Sequence, residues 1–158
     1  MVTQTGLNPQ CSIAATLDVI GDRWTILILR DAIRGVRRFD HLAADLGIAR
    51  NLLSTRLARL VGHDILDKVP YQEHPVRYEY RLTDKGRDLS PVLVALMHWG
   101  DKHTGEPNNV PLVLAHSACG GPIEQHFVCW ECDTTVLPAE LRRRQSADQP
   151  DLSNIKGL

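Results

Sequence analysis

No run in this 158-residue chain approaches the roughly eighteen consecutive apolar residues that a membrane-crossing helix needs. The opening MVTQTGLNPQ has neither the basic start nor the apolar middle of an export signal. Also missing are paired carboxylates, a glycine-rich phosphate loop, a nucleophile elbow and the βαβ context of a thioredoxin-like fold. No internal repeat is legible. These absences point away from membrane, exported and enzymatic classes, and toward a cytoplasmic protein of one domain with a small appendage. Its apolar content of 43% is enough to bury a core.

Net charge is nearly absent as well, at −1, but it is unevenly spread. Residues 34–59 hold Arg34, Arg37, Arg38, Arg50, Arg56 and Arg59 against Asp40 and Asp45, a local +4. From residue 105 onward the balance is −3. The local basic patch therefore says more about partners than the overall charge does. Four cysteines without an export signal read as thiols, metal ligands or redox sensors rather than structural disulfides.

The apolar spacing of Ile13, Leu17 and Ile20 predicts a first helix. Asp22 is placed to cap a second, DRWTILILRDAI, which is apolar on most sides and so reads as a central helix or one shared with a partner chain. Gly35 ends it. A short strand over VRRF and a short helix over FDHLAADLGI follow, with Gly47 as the turn into a helix from about Ala49 to His63. Two helices joined by a short glycine-containing turn have the helix-turn-helix layout. After Gly62 the period changes from helical to alternating: ILDKVPY and VRYEYRL read as two strands around a QEHP turn. Thr83 then caps a long helix, DKGRDLSPVLVALMHWGDKH, in which Pro91 predicts a kink or a late start.

The segment GEPNNVP, 105–111, reads as a linker. Short strands and turns are expected over 112–144, with a helical turn near Pro138, and a polar, disordered tail from 145 to 158. The domain expectation is 1–104 for the helical and hairpin part and 112–144 for a small Cys/His β-ribbon. The fold class is mainly α with a small β-hairpin wing, a winged helix-turn-helix, plus that C-terminal ribbon.

The helix after Gly47 packs by its leucines and turns Asn51, Thr55, Ala58 and Arg59 to the opposite side, with Arg50 and Ser54 near its start. Arginine suits guanine edges, asparagine adenine, and hydroxyls phosphate or base, so this helix has the chemistry to enter a DNA major groove. His74, Pro75 and Arg77 at the hairpin tip would lie against the backbone or minor groove. A solvated helix face is the plain alternative; the order helix-turn-helix-hairpin favours DNA.

The pieces DRWTILILRDA, RRFDHLAADLGI, LLSTRLARL, HPVRYEYRLTDKG and HWG occur in the order and spacing of a known family. Over residues 11 to about 103 the chain resembles the HxlR family of bacterial winged-helix transcriptional regulators, relatives of the MarR type. The resemblance implies a homodimer, built by the N-terminal helices and the helix after the wing, on a palindromic operator, most often as a repressor. Two-fold symmetry and a repeated half-site belong together. Phosphate contacts would fall to Arg37, Arg38 and Arg56, with Arg77 in the wing. The resemblance also places Cys11 where some members sense electrophiles or oxidants, and a thiol before a helix N-terminus feels a field that favours the reactive thiolate. The alternative is a small packed thiol. A small-molecule or oxidant effector is a further expected partner, with apolar space near Trp24 and Trp99 as one location.

The C-terminal HSACGG and CWECD set His116, Cys119, Cys129 and Cys132 in an H-x2-C, C-x2-C pattern. Two residues between donors let one turn aim both at a tetrahedral ion, so one structural Zn per chain is an expected cofactor, with His126 as a substitute ligand. A reduced ribbon or a Cys129–Cys132 redox disulfide remains open. Two competing functions follow: a thiol-disulfide or zinc-dependent redox protein centred on Cys129 and Cys132, and a winged helix used for protein contacts.

Overall fold

A computed structural model describes residues 11–104 and 114–142. The chain divides into two units, 1–93 and 94–158. The linker expected at 105–111 and the tail expected from 145 lie outside the described residues.

Helix α1 (Ser12–Ile20) begins directly after Cys11, and α2 (Arg23–Ile33) after Asp22. The Asp22 cap is fully formed: Oδ1 accepts from the amides of Trp24 and Thr25, both at 3.1 Å, and Oδ2 from the Thr25 hydroxyl at 2.5 Å. Such a cap satisfies two of the four amide donors that a helix start leaves unpaired. Helix α2 is the central one, with Thr25, Ile28 and Leu29 fully buried within this chain. It packs against α3 (Phe39–Leu46), α4 (Arg50–Gly62) and the hairpin, with Trp24, Ile26 and Leu27 half-buried and Ile33 exposed. Ile13 and Leu17 on α1 are exposed, so the spacing that predicts a buried face there buries only Ala14 and Ile20.

Gly47 closes α3 in the left-handed conformation (φ 58°), where glycine carries no Cβ penalty, and three residues later α4 starts. Leu53, Leu57 and Leu60 of α4 are completely buried in one core with Ile28, Leu29, Leu42 and Ile48. Each leucine buried to that depth contributes about 1.5–3 kcal/mol, which fixes the rotation of α4 and hence which face it offers to solvent.

Strands β1 (Leu66–Glu73) and β2 (Val76–Leu82) form an antiparallel hairpin, with Leu66 opposite Leu82 and Glu73 opposite Val76, and an irregularity between Pro70 and Gln72. The strand expected over VRRF shrinks to a single bridge, Arg38 to Glu79, reinforced by the Tyr80 amide donating to the Arg37 carbonyl at 2.8 Å. That bridge ties the wing to the body just ahead of α3.

The long helix expected after Thr83 is two. Thr83 caps only α5 (Asp84–Arg87), accepting from the Gly86 amide at 3.0 Å, and α6 (Ser90–His103) starts afresh with Pro91 in its first turn. A proline there costs nothing, because its missing N–H would have had no partner. Leu89 and Leu93 pack on the core, while Val92, Leu96 and Trp99 of α6 are exposed. In the second unit β3 (Phe127–Cys129) pairs with β4 (Thr134–Val136), and a 3-10 turn covers Pro138–Glu140. None of residues 114–142 is buried.

Candidate nucleic-acid interface

With its leucines fixed inward, α4 exposes Arg50, Asn51, Ser54, Thr55, Ala58 and Arg59. The first four crowd its N-terminal half, the end that a helix inserts into a groove. The Asn51 Oδ1 accepts from the Leu52 amide at 2.8 Å, and the Thr55 hydroxyl donates to the Asn51 carbonyl at 3.0 Å. The Ser54 hydroxyl is exposed beside them. Arg50 is held by Asp40 at 2.7 Å and lies 4.9 Å over the Phe39 ring, so it is a pre-aimed cation rather than a loose one.

Two arginines of α4 have protein partners. Arg56, expected to touch phosphate, is partly buried with Nε 3.0 Å from Asp22 Oδ1, an ion pair without an aligned hydrogen bond. Arg59, expected to face outward, is exposed, and its guanidinium donates to the Asp18 carbonyl of α1. The physical reason is reach: a guanidinium on four bonds of stem can return to an adjacent helix even when its Cα faces away. Arg34 lies 3.6 Å from buried Asp31. Much of the local positive charge therefore has a protein partner. Arg37 and Arg38 are exposed and unpaired with carboxylates among the described residues, Arg38 lying 4.5 Å over the Tyr71 ring. On the hairpin His74 and Arg77 are exposed at and beside the tip, as expected. Lys68, 4.2 Å over the Tyr78 ring, adds an exposed wing cation that the alternation of β1 and β2 does not single out. The one signal for it is the lysine and tyrosine facing the same side of two predicted strands.

The Asp22 carboxyl joins α2 to α4 through charge. Burial pushes its pKa up, but the Thr25 hydroxyl, the Thr25 amide, Arg56 and the Trp24 amide outweigh that and hold it below its ordinary 3.8. A depressed carboxylate stabilises the fold fully above 3.8, and this contribution is lost as pH falls through the lowered value. Asp22→Asn, which keeps a capping oxygen but no charge, should therefore cost about 1–2 kcal/mol at neutral pH. Urea titrations at a series of pH values from 7 downward should show that gap narrowing in acid; a gap independent of pH would contradict the assignment.

Cys11 is exposed and occupies the cap position of α1, where its carbonyl accepts from the Ala15 amide at 3.0 Å and its side chain caps nothing. Trp24 and Trp99 fall in separate units. A cleft of about 300 Å³ in the first unit is lined instead by Ala32, Ile33, Arg37, Tyr80, Arg81 and Leu82, among others. Of the four C-terminal donors, His116 Nδ1 is 3.3 Å from Cys119 Sγ, and Cys132 Sγ accepts from the Thr134 hydroxyl at 3.0 Å. That hydroxyl first, and then the Cys129 thiol, lower the Cys132 pKa. The donors stand as two pairs: no three His, Cys, Asp or Glu side chains gather around one point among the described residues. His126 faces Glu124 at 3.1 Å rather than either pair.

A helix-turn-helix with a hairpin wing behind it, and a polar helix face held outward by buried leucines, define a winged-helix DNA-binding protein. Residues 19–108 match the model of the HxlR-like helix-turn-helix family, and the chain belongs to that family. The HTH-type transcriptional regulator Rv3095 of Mycobacterium tuberculosis is 47% identical over 125 residues, 79% of each chain. The crystal structure of PA1607, described as a transcription factor, superimposes with a TM-score of 0.79 at 37% identity, covering 87% of this chain and 96% of that one. The redox regulator HypR in its oxidized form matches with a TM-score of 0.56 at 30% identity, over 61% of this chain and all of that one. The family and its relatives are regulators of transcription, and no helix among the described residues is long and apolar enough to cross a membrane.

Proposed function

We propose that the protein acts as a homodimeric, sequence-specific repressor on a palindromic operator, one α4 per half-site, and that oxidation of Cys11 releases it. The observation that carries the reading of DNA is the outward set Arg50, Asn51, Ser54 and Thr55 on a helix locked by three fully buried leucines. The dimer rests on the apolar side chains left uncovered on α1 and α6, since Ile13, Leu17, Leu96 and Trp99 face solvent in the single chain. Phosphate contacts are assigned to Arg37, Arg38 and Arg77, with His74 at the wing tip. Cys11 is the cap residue directly ahead of α1, two positions before Ile13, so a sulfenic acid or intersubunit disulfide there would disturb the same helix that is offered to the partner. HypR, a redox regulator by name, supports a redox input.

Footprinting of full-length protein on the DNA flanking its own gene tests both parts. The expected result is two protected half-sites about one helical turn apart, weakening steeply with salt because phosphate contacts release counterions, and lost on hypochlorite or quinone treatment. Cys11→Ser should keep its protection under oxidant. Protection of a single half-site would remove the dimer, no salt dependence would favour a protein-contact module, and release of Cys11→Ser by oxidant would remove the sensor.

A further inference from the structure

The two C-terminal donor pairs sit on the same piece of backbone, built twice. In the first, Gly120 donates its amide to the His116 carbonyl at 2.8 Å, the His116 amide donates to Gly121 at 2.8 Å, and Ala115 bridges Pro122. In the second, the Asp133 amide donates to the Cys129 carbonyl at 2.8 Å, Cys129 pairs with Thr134, and Val128 with Thr135. The residue after each second donor is left-handed, Gly120 at φ 71° and Asp133 at φ 53°. Every element of the first recurs thirteen positions later in the second. Such a turn brings side chains i and i+3 to one side and directs backbone amides toward the second donor. Asp133 takes the left-handed place that Gly120 takes in the first turn, a conformation that aspartate tolerates better than most residues and that Asp64 also adopts.

Stability supplies a second, independent argument. Phe127, Val128, Trp130, Leu137 and Leu141 are exposed, and nothing in 114–142 is buried, so this ribbon has no core to hold it. Segments of that size are ordinarily stapled by disulfides or metal. None of the three cysteines is in a disulfide, so the ribbon as described has no covalent staple. Cys119 is exposed, and a Cβ at neighbouring Gly121 would stand 3.4 Å from its sulfur, so the glycine keeps that side of the sulfur open.

We propose that His116, Cys119, Cys129 and Cys132 together bind one divalent, thiophilic ion of the zinc class, the two knuckles closing on it as a tetrahedral site of three sulfurs and one imidazole nitrogen. The structure places the donors as two pairs, and the ion is what brings the pairs together. On binding, three Cys S–H protons leave to solvent and three thiolates form bonds to the ion, while the histidine binds neutral, so affinity falls steeply in acid. This assignment is independent of the DNA reading.

The test uses full-length protein purified without a histidine tag under reducing conditions. Metal analysis should find about one equivalent of zinc per chain. Replacement by Co²⁺ should give the visible bands of a tetrahedral site and the near-ultraviolet thiolate charge-transfer band. Cys119→Ser, Cys129→Ser and Cys132→Ser should each lower metal retention more than tenfold against a competing chelator, and His116→Ala should shift the Co²⁺ bands. The thermal transition of the helical unit in each variant, unchanged, shows that metal loss is local. Less than a tenth of an equivalent of zinc together with no Co²⁺ bands overturns the proposal. So do bands indifferent to both Cys119→Ser and His116→Ala, or a 2 Da mass loss in the peptide spanning Cys129 and Cys132, which would make it a redox dithiol instead.

Discussion

Asn51→Ala is expected to weaken binding to the natural operator about tenfold to a hundredfold while leaving affinity for unrelated DNA almost unchanged. Asn51 is exposed on the N-terminal half of α4, with its amide nitrogen free of partners among the described residues and its oxygen resting on the Leu52 amide. Adenine offers one acceptor and one donor to such an amide, and a bidentate pair of this kind discriminates by about 1–3 kcal/mol. Truncation removes the pair without touching the leucines that hold the helix. Arg77→Ala on the wing should behave differently, lowering affinity for all sequences alike and reducing the salt slope by about one. Arg59→Ala should alter stability rather than sequence preference, because its guanidinium is bound to the Asp18 carbonyl. Fluorescence anisotropy with operator and scrambled duplexes at several salt concentrations separates the three. Equal losses on both duplexes for Asn51→Ala would show that α4 does not read bases through this residue.

The largest effect on stability should come from Gly86→Ala. Gly86 is buried in α5, and a Cβ there would overlap the Ile65 carbonyl oxygen and approach Leu82 Cδ2 to 2.9 Å. That carbonyl is not free to retreat, since it accepts from both the Thr83 amide and the Thr83 hydroxyl, each at 3.2 Å. One methyl group would therefore push α5 away from the start of β1 and break the Thr83 cap in the same movement. Overpacking of this kind costs about 1–3 kcal/mol, and the lost cap about 1 more. For a domain of this size the sum corresponds to a fall of roughly 10–20 °C in Tm. Gly62→Ala is the control, because it sits at the end of α4 with nothing within 4 Å of a Cβ. It should be neutral or gain up to about 1 kcal/mol. Calorimetric transitions for Gly86→Ala within 2 °C of the parent would show that the contact is relieved cheaply.

Much of this was legible in residue order because each signal has a local cause. Asp22 announces a cap because only a short acceptor can reach the first amides of α2. Gly47 announces the turn because the backbone there is left-handed, and the change from helical to alternating spacing after Gly62 announces the wing. Pro91 was readable as a break, although residue order alone did not separate a kink from a fresh start. What stayed hidden depends on side chains that reach across the fold. A helical wheel places Arg59 outside, yet its stem returns to α1, and Arg56 is absorbed by a carboxylate thirty-four positions earlier. Ile13 and Leu17 have the spacing of a buried face and are exposed, because spacing states that an apolar face exists and not which surface covers it. The paired knuckles were half visible. Their donors showed at once, but the shared backbone did not, since beyond the cysteine that closes each pair the two stretches have almost no residue in common.

The return of Arg56 to Asp22 and of Arg59 to the Asp18 carbonyl has a mechanical meaning. These two guanidiniums are struts, one anchoring the reading helix to the head of α2 and the other to the tail of α1. α4 is thereby braced against two neighbouring helices at once. In the DNA-binding role proposed above, losing either strut would loosen how α4 is held while Arg50, Asn51, Ser54 and Thr55 stay unchanged.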